Sequence, residues 1–566
     1  MEDLLKVKNL KVTYKEKIEA IKGISFNVKK GETLGIIGES GSGKTSIANA
    51  ILGLLSDDTL VRGEIMYDGV DLNKVEEKEM NKYRWNKVSM VFQNRLEVLN
   101  PVLKIKEQII EAIYEKNKLD KEKLNKKVVS LLEMVGMDKI WLERYPHELS
   151  GGMRQKVLIA MALACEPEIL IVDEPTSSLD ASSKKEIISL LKELKEKNNL
   201  SLIVISHDIN LIKTLTFNMI VLYSGYVLEE GITKEIIKEP KHTYTRGLIN
   251  SSPIINPYKD LWGIKKEIDS DYDEGCPFYS RCNQSLDICL KKVPKLKDIS
   301  LERRVACNRG GIVTLLKGKD ITKTYKINKN NLYANSNCNI KVKSGEVVSL
   351  IGKSGSGKST LGKILSGFLN KDSGEVLFME ERIKNFNAIR KLNGIQIVLQ
   401  DPFSSMNEDF TIEDVIKEPL DILNIYTKDY RKKVIKNVLQ DVELSKDEVF
   451  LNKRLRELSG GQRQRISLAR SLVMKPKILI ADEICSMLDP STKANLLRLL
   501  KGLQNKNGFS MLYITHDLSV ARKISDRVYV MKNGEIVENN NSFEIFNDPS
   551  KETTKELIDT GLKMIY

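Results

Sequence analysis

The hydrophobic residues of this chain form short continuous runs that alternate with longer stretches of helical spacing. Thr33–Ile37 and Val347–Ile351 are apolar runs of strand length, and each leads into a glycine-rich turn and then a helix-like stretch. Runs at 169–174 and 478–483 have the pattern of buried strands that end in two carboxylates. Because strands that alternate with helices are typical of α/β proteins, we predict an α/β fold.

The pattern is present twice. Asp173 and Asp482 are 309 residues apart, and so are His207 and His516, which follow similar apolar runs. A constant offset of this kind indicates two related domains in one chain.

Two further features divide the chain. Segments rich in Lys, Glu and Leu at helical spacing predict a helical subdomain inserted in each half, at residues 102–148 and 411–457. Between the halves the periodicity breaks, and cysteine, proline and charged residues dominate. The predicted domains are therefore a first nucleotide domain, a small cysteine-containing extension and a second nucleotide domain, at residues 1–254, 255–310 and 311–566.

Composition narrows the class of protein. The hydrophobic content of 41% is that of ordinary globular protein, and no apolar run approaches the roughly 18 to 20 residues that span a bilayer. The start, Met1 to Leu4, lacks the pattern of a signal peptide, so we expect a soluble, cytoplasmic protein. The net charge of +13 suits an anionic partner, but lysine-rich solvated helices produce it as easily.

Two glycine-rich loops match the pattern G-x-x-x-x-G-K-[ST] directly after an apolar strand. Backbone N–H groups of such loops wrap phosphates, and the helix that follows adds positive potential. Lys44 and Lys358 would reach the β- and γ-phosphates, while Thr45 and Ser359 would place a hydroxyl on Mg²⁺. The predicted ATP-binding residues of the loops are Gly38, Glu39, Ser40, Gly41, Ser42, Gly43, Lys44, Thr45 and Ser46, and Gly352, Lys353, Ser354, Gly355, Ser356, Gly357, Lys358, Ser359 and Thr360.

Paired carboxylates follow a buried strand in each half. Asp173 and Asp482 can hold Mg²⁺ through water. Glu174 and Glu483 are placed to orient or deprotonate the attacking water. Acids at a strand end are usually helix caps or surface charges, but their pairing with a phosphate loop favours catalysis.

A Leu-Ser-Gly-Gly sequence opens an apolar-periodic helix in each half. Serine and glycine at a helix N-terminus leave free N–H donors, which form a second anion site. The predicted residues are Ser150, Gly151 and Gly152 in the first half, and Ser459, Gly460 and Gly461 in the second.

With these motifs in this order, the chain resembles the ATP-binding cassette family over nearly its whole length. In that family the Leu-Ser-Gly-Gly helix of one cassette closes over the γ-phosphate held by the other, so two cassettes sandwich two ATP molecules. The resemblance implies that Tyr14 and Tyr325 stack on adenine. It also implies that the loops 177–180 and 486–489 take part in communication between the cassettes. It also implies catalytic roles for Gln93, Gln400, His207 and His516 beside Glu174 and Glu483, and Mg²⁺ coordination by Thr45, Gln93, Asp173, Ser359, Gln400 and Asp482.

Both halves retain these residues, so both are predicted to hydrolyse ATP. One departure from the family is Glu483-Ile484-Cys485, where the first half has the usual Glu174-Pro175-Thr176. The relative rates of the two sites therefore stay open.

The segments 240–248 and 275–282 resemble the C-terminal extension of ATPases that serve dipeptide, oligopeptide and nickel-type importers. Seven cysteines in a cytosolic chain argue against a disulfide framework, and a cluster of four suggests a metal site. The resemblance implies a [4Fe-4S] cluster, with zinc or no metal as alternatives. The four candidate ligands are Cys276, Cys282, Cys289 and Cys307.

The second half keeps the subfamily's run at 400–407, whereas the first keeps only its end at 93–100, so we expect the halves to dock on two different permease chains. The resemblance implies an importer ATPase at the cytoplasmic face of the plasma membrane, working with two integral-membrane permeases and an extracytoplasmic solute-binding protein. Peptides, nickel or metal chelates, and opines remain possible solutes.

Two other classes of protein also contain ATP-binding cassettes. A ribosome-associated ATPase is the alternative, but those proteins place their cysteines before the first cassette or use a long charged linker between cassettes. DNA-repair cassettes carry zinc-finger insertions that this sequence lacks. No nucleic-acid partner is therefore expected.

Overall fold

The described residues of the chain form two compact units. A computed structural model describes residues 3–15, 17–92, 98–114, 120–253, 257, 259, 264, 274–327, 330–383, 391–401, 406–486 and 488–562. The first unit comprises described residues within 1–255, 267–282 and 286–311, and the second comprises those within 256–266, 283–285 and 312–566.

The first unit combines parallel and antiparallel strands with flanking helices. Its strands are β1 (Asp3–Thr13), β2 (Glu19–Lys29), β3 (Thr33–Ile37), β4 (Leu60–Tyr67), β5 (Val70–Asp71), β6 (Val88–Val91), β7 (Ile169–Asp173), β8 (Ser201–Ser206), β9 (Asn218–Tyr223), β10 (Tyr226–Ile232), β11 (Leu296–Ser300) and β12 (Arg303–Ala306). Its helices are α1 (Lys44–Ile51), α2 (Glu77–Met80), α3 (Ile105–Tyr114), α4 (Lys121–Met134), α5 (Gly151–Leu163), α6 (Ala181–Asn198), α7 (Ile209–Leu215), α8 (Thr233–Lys238), α9 (Thr243–Asn250) and α10 (Ile288–Lys291).

Two sheets organise this unit. The smaller is antiparallel, in the order β2-β1-β4-β5, and the larger has the order β11-β12-β10-β9-β3-β8-β7-β6. In the larger sheet, β6, β7, β8, β3 and β9 are parallel. Every residue of β3, β7 and β8 is buried, as apolar runs covered on both faces require. The carboxyl ends of these strands meet at one edge of the sheet, where open α/β sheets place their ligands.

The second unit repeats this plan. Its strands are β13 (Thr314–Ile327), β14 (Asn330–Lys343), β15 (Val347–Ile351), β16 (Ser373–Phe378), β17 (Glu381–Arg382), β18 (Ile395–Val398), β19 (Ile478–Asp482), β20 (Ser510–Thr515), β21 (Arg527–Lys532) and β22 (Glu535–Asn541). Its helices are α11 (Lys358–Ser366), α12 (Ile412–Ile422), α13 (Lys428–Asp441), α14 (Glu448–Leu451), α15 (Gly460–Leu472), α16 (Pro490–Asn507), α17 (Leu518–Ile524), α18 (Ser542–Asn547) and α19 (Glu552–Leu562).

The sheets of this unit have the orders β14-β13-β16-β17 and β18-β19-β20-β15-β21-β22. The second order matches β6-β7-β8-β3-β9-β10 of the first unit, so the sequence repeat is also a structural repeat. The predicted α/β fold is confirmed, and β3 and β15 have the predicted bounds. The segments predicted to be helical contain α3 and α4 in the first unit and α12 to α14 in the second.

Most of the described part of the extension belongs to the first unit, whereas residues 257, 259, 264 and 283–285 belong to the second. Strands β11 and β12 of the extension extend the large sheet, because β12 pairs with β10 of the nucleotide domain. A buried ion pair reinforces this junction: the Arg303 Nη2 donates to Glu229 Oε1 at 2.6 Å, and Glu229 is fully buried. The Glu229 carboxylate also accepts the backbone N–H groups of Lys241 and His242, both at 2.9 Å. Glu229 therefore joins the sheet, the extension and the start of α9.

No helix in the part of the chain that the structure describes is both long enough and apolar enough to cross a bilayer.

Replacing Arg303 by Met is expected to lower the free energy of unfolding of the first unit by about 3 to 5 kcal/mol, because it leaves the Glu229 carboxylate buried without its cation. Chemical denaturation of the purified chain measures this change. Lys126→Gln is the matched control, since it removes an exposed pair with Glu122 on α4 and should change stability by about 1 kcal/mol or less. Equal effects of the two substitutions would contradict the structural role of Glu229.

Candidate nucleotide-binding and catalytic sites

The two phosphate loops hold their lysines in the same way. Lys44 Nζ donates to the carbonyl oxygens of Gly38 at 2.8 Å and Glu39 at 3.0 Å. Lys358 Nζ donates to those of Gly352 at 3.0 Å and Lys353 at 2.9 Å. An ammonium group has three donors, so each lysine keeps one for a phosphate.

A glycine is required where each loop becomes a helix. Gly43 and Gly357 precede α1 and α11 with φ of 100° and 98°, in the left-handed region. A Cβ at these positions would lie 2.5 Å from the Ala20 carbonyl oxygen and 2.0 Å from that of Ala334. The close approach of a neighbouring strand therefore excludes any side chain there.

Two of the three predicted Mg²⁺ ligands are brought together in each unit. Thr45 Oγ1 donates to Asp173 Oδ2 at 2.7 Å, and Ser359 Oγ donates to Asp482 Oδ1 at 2.9 Å. Asp173 Oδ1 is buried and has no hydrogen-bond partner among the described residues. A hydroxyl and a carboxylate with an unused oxygen fit a Mg²⁺ ion that keeps most of its water ligands.

Burial is the main cause of the pKa shifts of the lysines and aspartates in these sites. It lowers the pKa of Lys44 and of Lys358, although the neighbouring carboxylates oppose the change. It raises the pKa of Asp173 and of Asp482. The charged form of each group is therefore destabilised by burial and stabilised by the opposite charge beside it.

The two candidate catalytic glutamates lie one residue beyond β7 and β19. Glu174 and Glu483 have φ of 50° and 46°, which turns the chain sharply after each strand. Their backbone N–H groups still bond to the next strand, to the carbonyls of Ile205 and Ile514 at 2.9 and 3.0 Å. A left-handed backbone at a non-glycine residue is strained and is typical of functional sites.

A histidine contacts each of these carboxylates. His207 Nδ1 lies 2.7 Å from Glu174 Oε1, and His516 Nδ1 lies 3.1 Å from Glu483 Oε1. The glutamate side chains are 5% and 14% exposed, whereas the histidine side chains are 61% and 57% exposed. Each pair therefore links a buried carboxylate to a ring that reaches solvent, as a group that orients water and senses a phosphate requires.

The first glutamate is held more firmly than the second. Ser206 Oγ donates to Glu174 Oε2 at 3.2 Å, and the His207 backbone N–H donates to Glu174 Oε1 at 2.9 Å. No pattern in the sequence marks Ser206 as a functional residue, because a strand-end serine is ordinarily a capping residue.

The two residues that follow the candidate catalytic glutamate differ between the two units. Thr176 and Cys485 occupy equivalent positions, and each is 3% exposed. Burial raises the pKa of the Cys485 thiol to about 11, and the thiol is hydrogen-bonded to Tyr513. At neutral pH this thiol is protonated and has an ordinary packing role.

The Ser-Gly-Gly residues start α5 and α15. Ser150 Oγ accepts the Met153 N–H at 3.3 Å, and Ser459 Oγ accepts the Gln462 N–H at 3.3 Å. Both serines are exposed. A Cβ on Gly152 would lie 2.8 Å from Ser183 Oγ, so the second glycine permits close packing against α6. The exposed helix N-termini, with Gly151 and Gly460, are suited to bind an anion.

The predicted adenine-stacking tyrosines lie on β13 or just after β1. The Tyr14 hydroxyl is 2.9 Å from Ser46 Oγ on α1, which places the ring beside the first phosphate loop. Tyr325 is 39% exposed, and Lys323 Nζ lies 5.8 Å from its ring centre. Both rings have a surface available for stacking.

Gln400 is the one of the two predicted catalytic glutamines that the structure describes. Gln400 Nε2 donates to Ser486 Oγ at 3.4 Å, a long bond that leaves the amide free to turn towards a ligand. Gln93 lies outside the described residues.

The four cysteines of the extension lie in one small region of the first unit. Burial raises the pKa of Cys276 to about 12, and the other three thiols contribute to this rise. The Cys276 N–H donates to the Cys289 carbonyl at 2.7 Å. In the described part of the chain, no three His, Cys, Asp or Glu side chains converge as ligands of one ion. The cluster predicted from the sequence therefore stays a prediction.

Sequence reasoning missed a contact between the extension and the first phosphate loop. Arg281 binds the Glu39 carboxylate, and Tyr244 accepts the Glu39 N–H. Arg281 and Tyr244 lie in the segments that identified the extension. Their partner is more than 200 positions earlier in the chain, a separation that no local pattern can bridge.

Comparison with known proteins agrees with this geometry. The ABC transporter profile matches residues 21–177 and 335–486, and the profile "Oligopeptide/dipeptide transporter, C-terminal region" matches residues 228–289. A third profile, "AAA domain, putative AbiEii toxin, Type IV TA system", matches only residues 142–213.

The relatives match along almost the entire chain. The oligopeptide transport ATP-binding protein OppD of Mycobacterium tuberculosis is 31% identical over 99% of this chain and 98% of its own. The glutathione import ATP-binding protein GsiA of Escherichia coli K12 is 33% identical over 98% of this chain and 89% of its own. Among solved structures, the dimeric ATP-binding cassette MJ0796 bound to ADP and Pi is 32% identical over 40% of this chain and 99% of its own, with a TM-score of 0.37.

Two profile matches together span more than half of the chain, and both contain the loop, acid and helix motifs described above. The chain therefore belongs to the ABC transporter family, as an ATPase with two cassettes of which the first carries an oligopeptide/dipeptide transporter C-terminal region.

Proposed function

We propose that this chain powers the uptake of dipeptides, oligopeptides or a related solute through partner permeases at the cytoplasmic face of the plasma membrane. The observation that carries the proposal is the extension: the profile at 228–289 is that of oligopeptide and dipeptide transporters. The names of both relatives support the same solute class, since one serves oligopeptide transport and the other glutathione import. Nickel, metal chelates and opines stay as further solutes of the subfamily.

The contacts described above support the following catalytic roles. Lys44 and Lys358 would bind the β- and γ-phosphates with their remaining donor, and Glu174 and Glu483 would orient and deprotonate the attacking water. Thr45 with Asp173, and Ser359 with Asp482, would hold Mg²⁺, which offsets the charge of the phosphates. The Gln93 and Gln400 amides would contact this ion and its water.

The histidines and the signature helices would complete the sites. His207 and His516 would contact the γ-phosphate while their Nδ1 atoms stay on the glutamates. The exposed N-termini of α5 and α15 would bind the γ-phosphate of a nucleotide held on another phosphate loop. Hydrolysis would then release this contact, and the change would drive the permeases.

The extension would hold a [4Fe-4S] cluster. The other three thiols are close enough to Cys276 to raise its pKa, and four cysteine thiolates are the usual ligands of such a cluster. The thiolates of Cys276, Cys282, Cys289 and Cys307 would hold the irons of this cluster. The cluster would fix the fold of the extension.

Combining Glu174→Gln with Glu483→Gln is expected to reduce ATP hydrolysis at least about 100-fold, because the amide cannot accept the proton of water. Binding of ATP should persist, since neither glutamate holds the phosphates. Steady-state ATPase rates and the nucleotide retained after gel filtration measure the two effects. Normal turnover of this double variant would contradict the assignment.

Co-purification with its permeases in lipid vesicles is expected to make the ATPase respond to an oligopeptide with its binding protein. Alanine at Lys44 and Lys358 together removes the phosphate contacts and serves as the control. Co-sedimentation with ribosomes, without any response to solutes, would instead favour a ribosome-associated ATPase.

Anaerobic purification is expected to yield a brown protein that contains about four irons and four sulfides per chain. Serine at Cys276 and Cys289 should abolish the absorption band near 400 nm, whereas serine at Cys165, which lies outside the extension, should leave it unchanged. A colourless protein that contains zinc, or no metal after reconstitution with iron and sulfide, would contradict the cluster.

A further inference from the structure

The extension contacts the first phosphate loop through the side chain of Glu39. Arg281 Nη1 donates to Glu39 Oε2 at 2.7 Å, and Arg281 Nη2 donates to Glu39 Oε1 at 2.9 Å. The arginine side chain is 7% exposed, although the glutamate is 38% exposed. Two parallel bonds from a guanidinium fix both the position and the orientation of a carboxylate.

The backbone of the same residue is also held. The Glu39 N–H donates to the Tyr244 hydroxyl at 2.9 Å, and Tyr244 is fully buried. Its ring packs against Tyr223 at 4.8 Å and Phe278 at 5.4 Å between ring centres. Residues of α9 and of the segment 275–282 therefore fix the second residue of the loop at two points.

The position of Glu39 affects the nucleotide contacts directly. Its carbonyl oxygen accepts a bond from Lys44 Nζ at 3.0 Å, so a shift of Glu39 would shift the ammonium that is to bind phosphate. Its carboxylate would also repel the phosphates if its charge were not neutralised. Arg281 supplies this neutralisation from a buried position, while the Glu39 carboxylate stays partly exposed.

The second phosphate loop has the opposite charge at this position. Lys353 stands where the first loop has Glu39. A lysine needs no neutralisation beside an anionic ligand. The support by Arg281 and Tyr244 is thus specific to the first site.

We propose that Arg281 and Tyr244 are positioning residues of the first nucleotide site, and that they act by fixing and neutralising Glu39. The extension thereby controls the ATP affinity of the first cassette, while the second cassette binds ATP without such support. The inference rests on the assignment of residues 38–46 as a nucleotide site.

The test isolates the first site in full-length chain that carries Lys358→Ala. Arg281→Gln is expected to weaken the binding of a fluorescent ATP analogue about tenfold at low salt, as an uncompensated charge at about 10 Å would do through an effective dielectric of about 20. The loss should shrink as salt is added, because ions screen the exposed Glu39 carboxylate. Adding Glu39→Gln should restore most of the affinity.

Tyr244→Phe is the second variant. It keeps the ring packing but removes the acceptor of the Glu39 N–H, so it should weaken binding by a few fold. Glu39→Gln should not restore this loss, because the N–H is still unpaired. Glu39→Gln should therefore restore the affinity of the Arg281→Gln chain but not that of the Tyr244→Phe chain, which distinguishes the two positioning residues.

Two controls separate this role from a general loss of structure. Arg304→Gln removes another ion pair of the extension, with Glu230, and should leave the affinity of the first site unchanged. In a chain that carries Lys44→Ala, Arg281→Gln should leave the affinity of the second site unchanged. Loss of binding on adding Lys44→Ala to the Lys358→Ala chain verifies that residues 38–46 form the site.

A tenfold loss that is rescued by Glu39→Gln and reduced by salt supports the proposal. An unchanged affinity of the Arg281→Gln chain overturns it. A loss that is independent of salt and not rescued, or one that appears equally at the second site, also overturns it, because it shows that Arg281 acts only through the stability of the chain.

Discussion

Opposite charges buried side by side at the ends of parallel strands are the feature on which both sites depend. Lys44 and Asp173 are each costly to bury alone, as the lowered pKa of the lysine and the raised pKa of the aspartate indicate. Together, on a loop and a strand that meet at one edge of the sheet, they stabilise one another. The same arrangement recurs with Lys358 and Asp482. A phosphate and a divalent cation would complete this set of charges, so we infer that the site is preorganised for ATP and Mg²⁺.

The two cassettes share this design but differ in what surrounds it. The first glutamate receives a serine hydroxyl, and the first loop is held by the extension through Glu39. The second loop has a lysine there, and the second glutamate is followed by a buried cysteine that is bonded to Tyr513. These differences leave unchanged the lysines, hydroxyls and carboxylates that are proposed to hold phosphate and Mg²⁺. We infer that they let the two sites differ in affinity or rate.

Much of the fold and of the site was predictable because its signals are local. The bounds of β3 and β15 follow from uninterrupted apolar runs, and the roles of Lys44 and Thr45 follow from a contiguous motif in the turn after a strand. The unpredicted features join distant parts of the chain. Arg303 with Glu229 and Arg281 with Glu39 depend on how the extension adds strands to the sheet of the first unit. Charged residues are common at surfaces, so neither member of such a pair differs in sequence from a solvated side chain.

We propose that each cassette supplies the lysine, the hydroxyl and the carboxylate that hold one nucleotide and its metal ion, while a signature helix contacts the γ-phosphate held on another phosphate loop. One chain would then bind two nucleotides with two metal ions. Electron paramagnetic resonance of Mn²⁺, titrated into the chain with a non-hydrolysable ATP analogue, counts these sites directly. Two nucleotide-dependent Mn²⁺ ions per chain are expected, one lost with Asp173→Asn and the other with Asp482→Asn. Fewer than two ions in the unaltered chain, or two ions retained when both aspartates are replaced, would contradict this proposal.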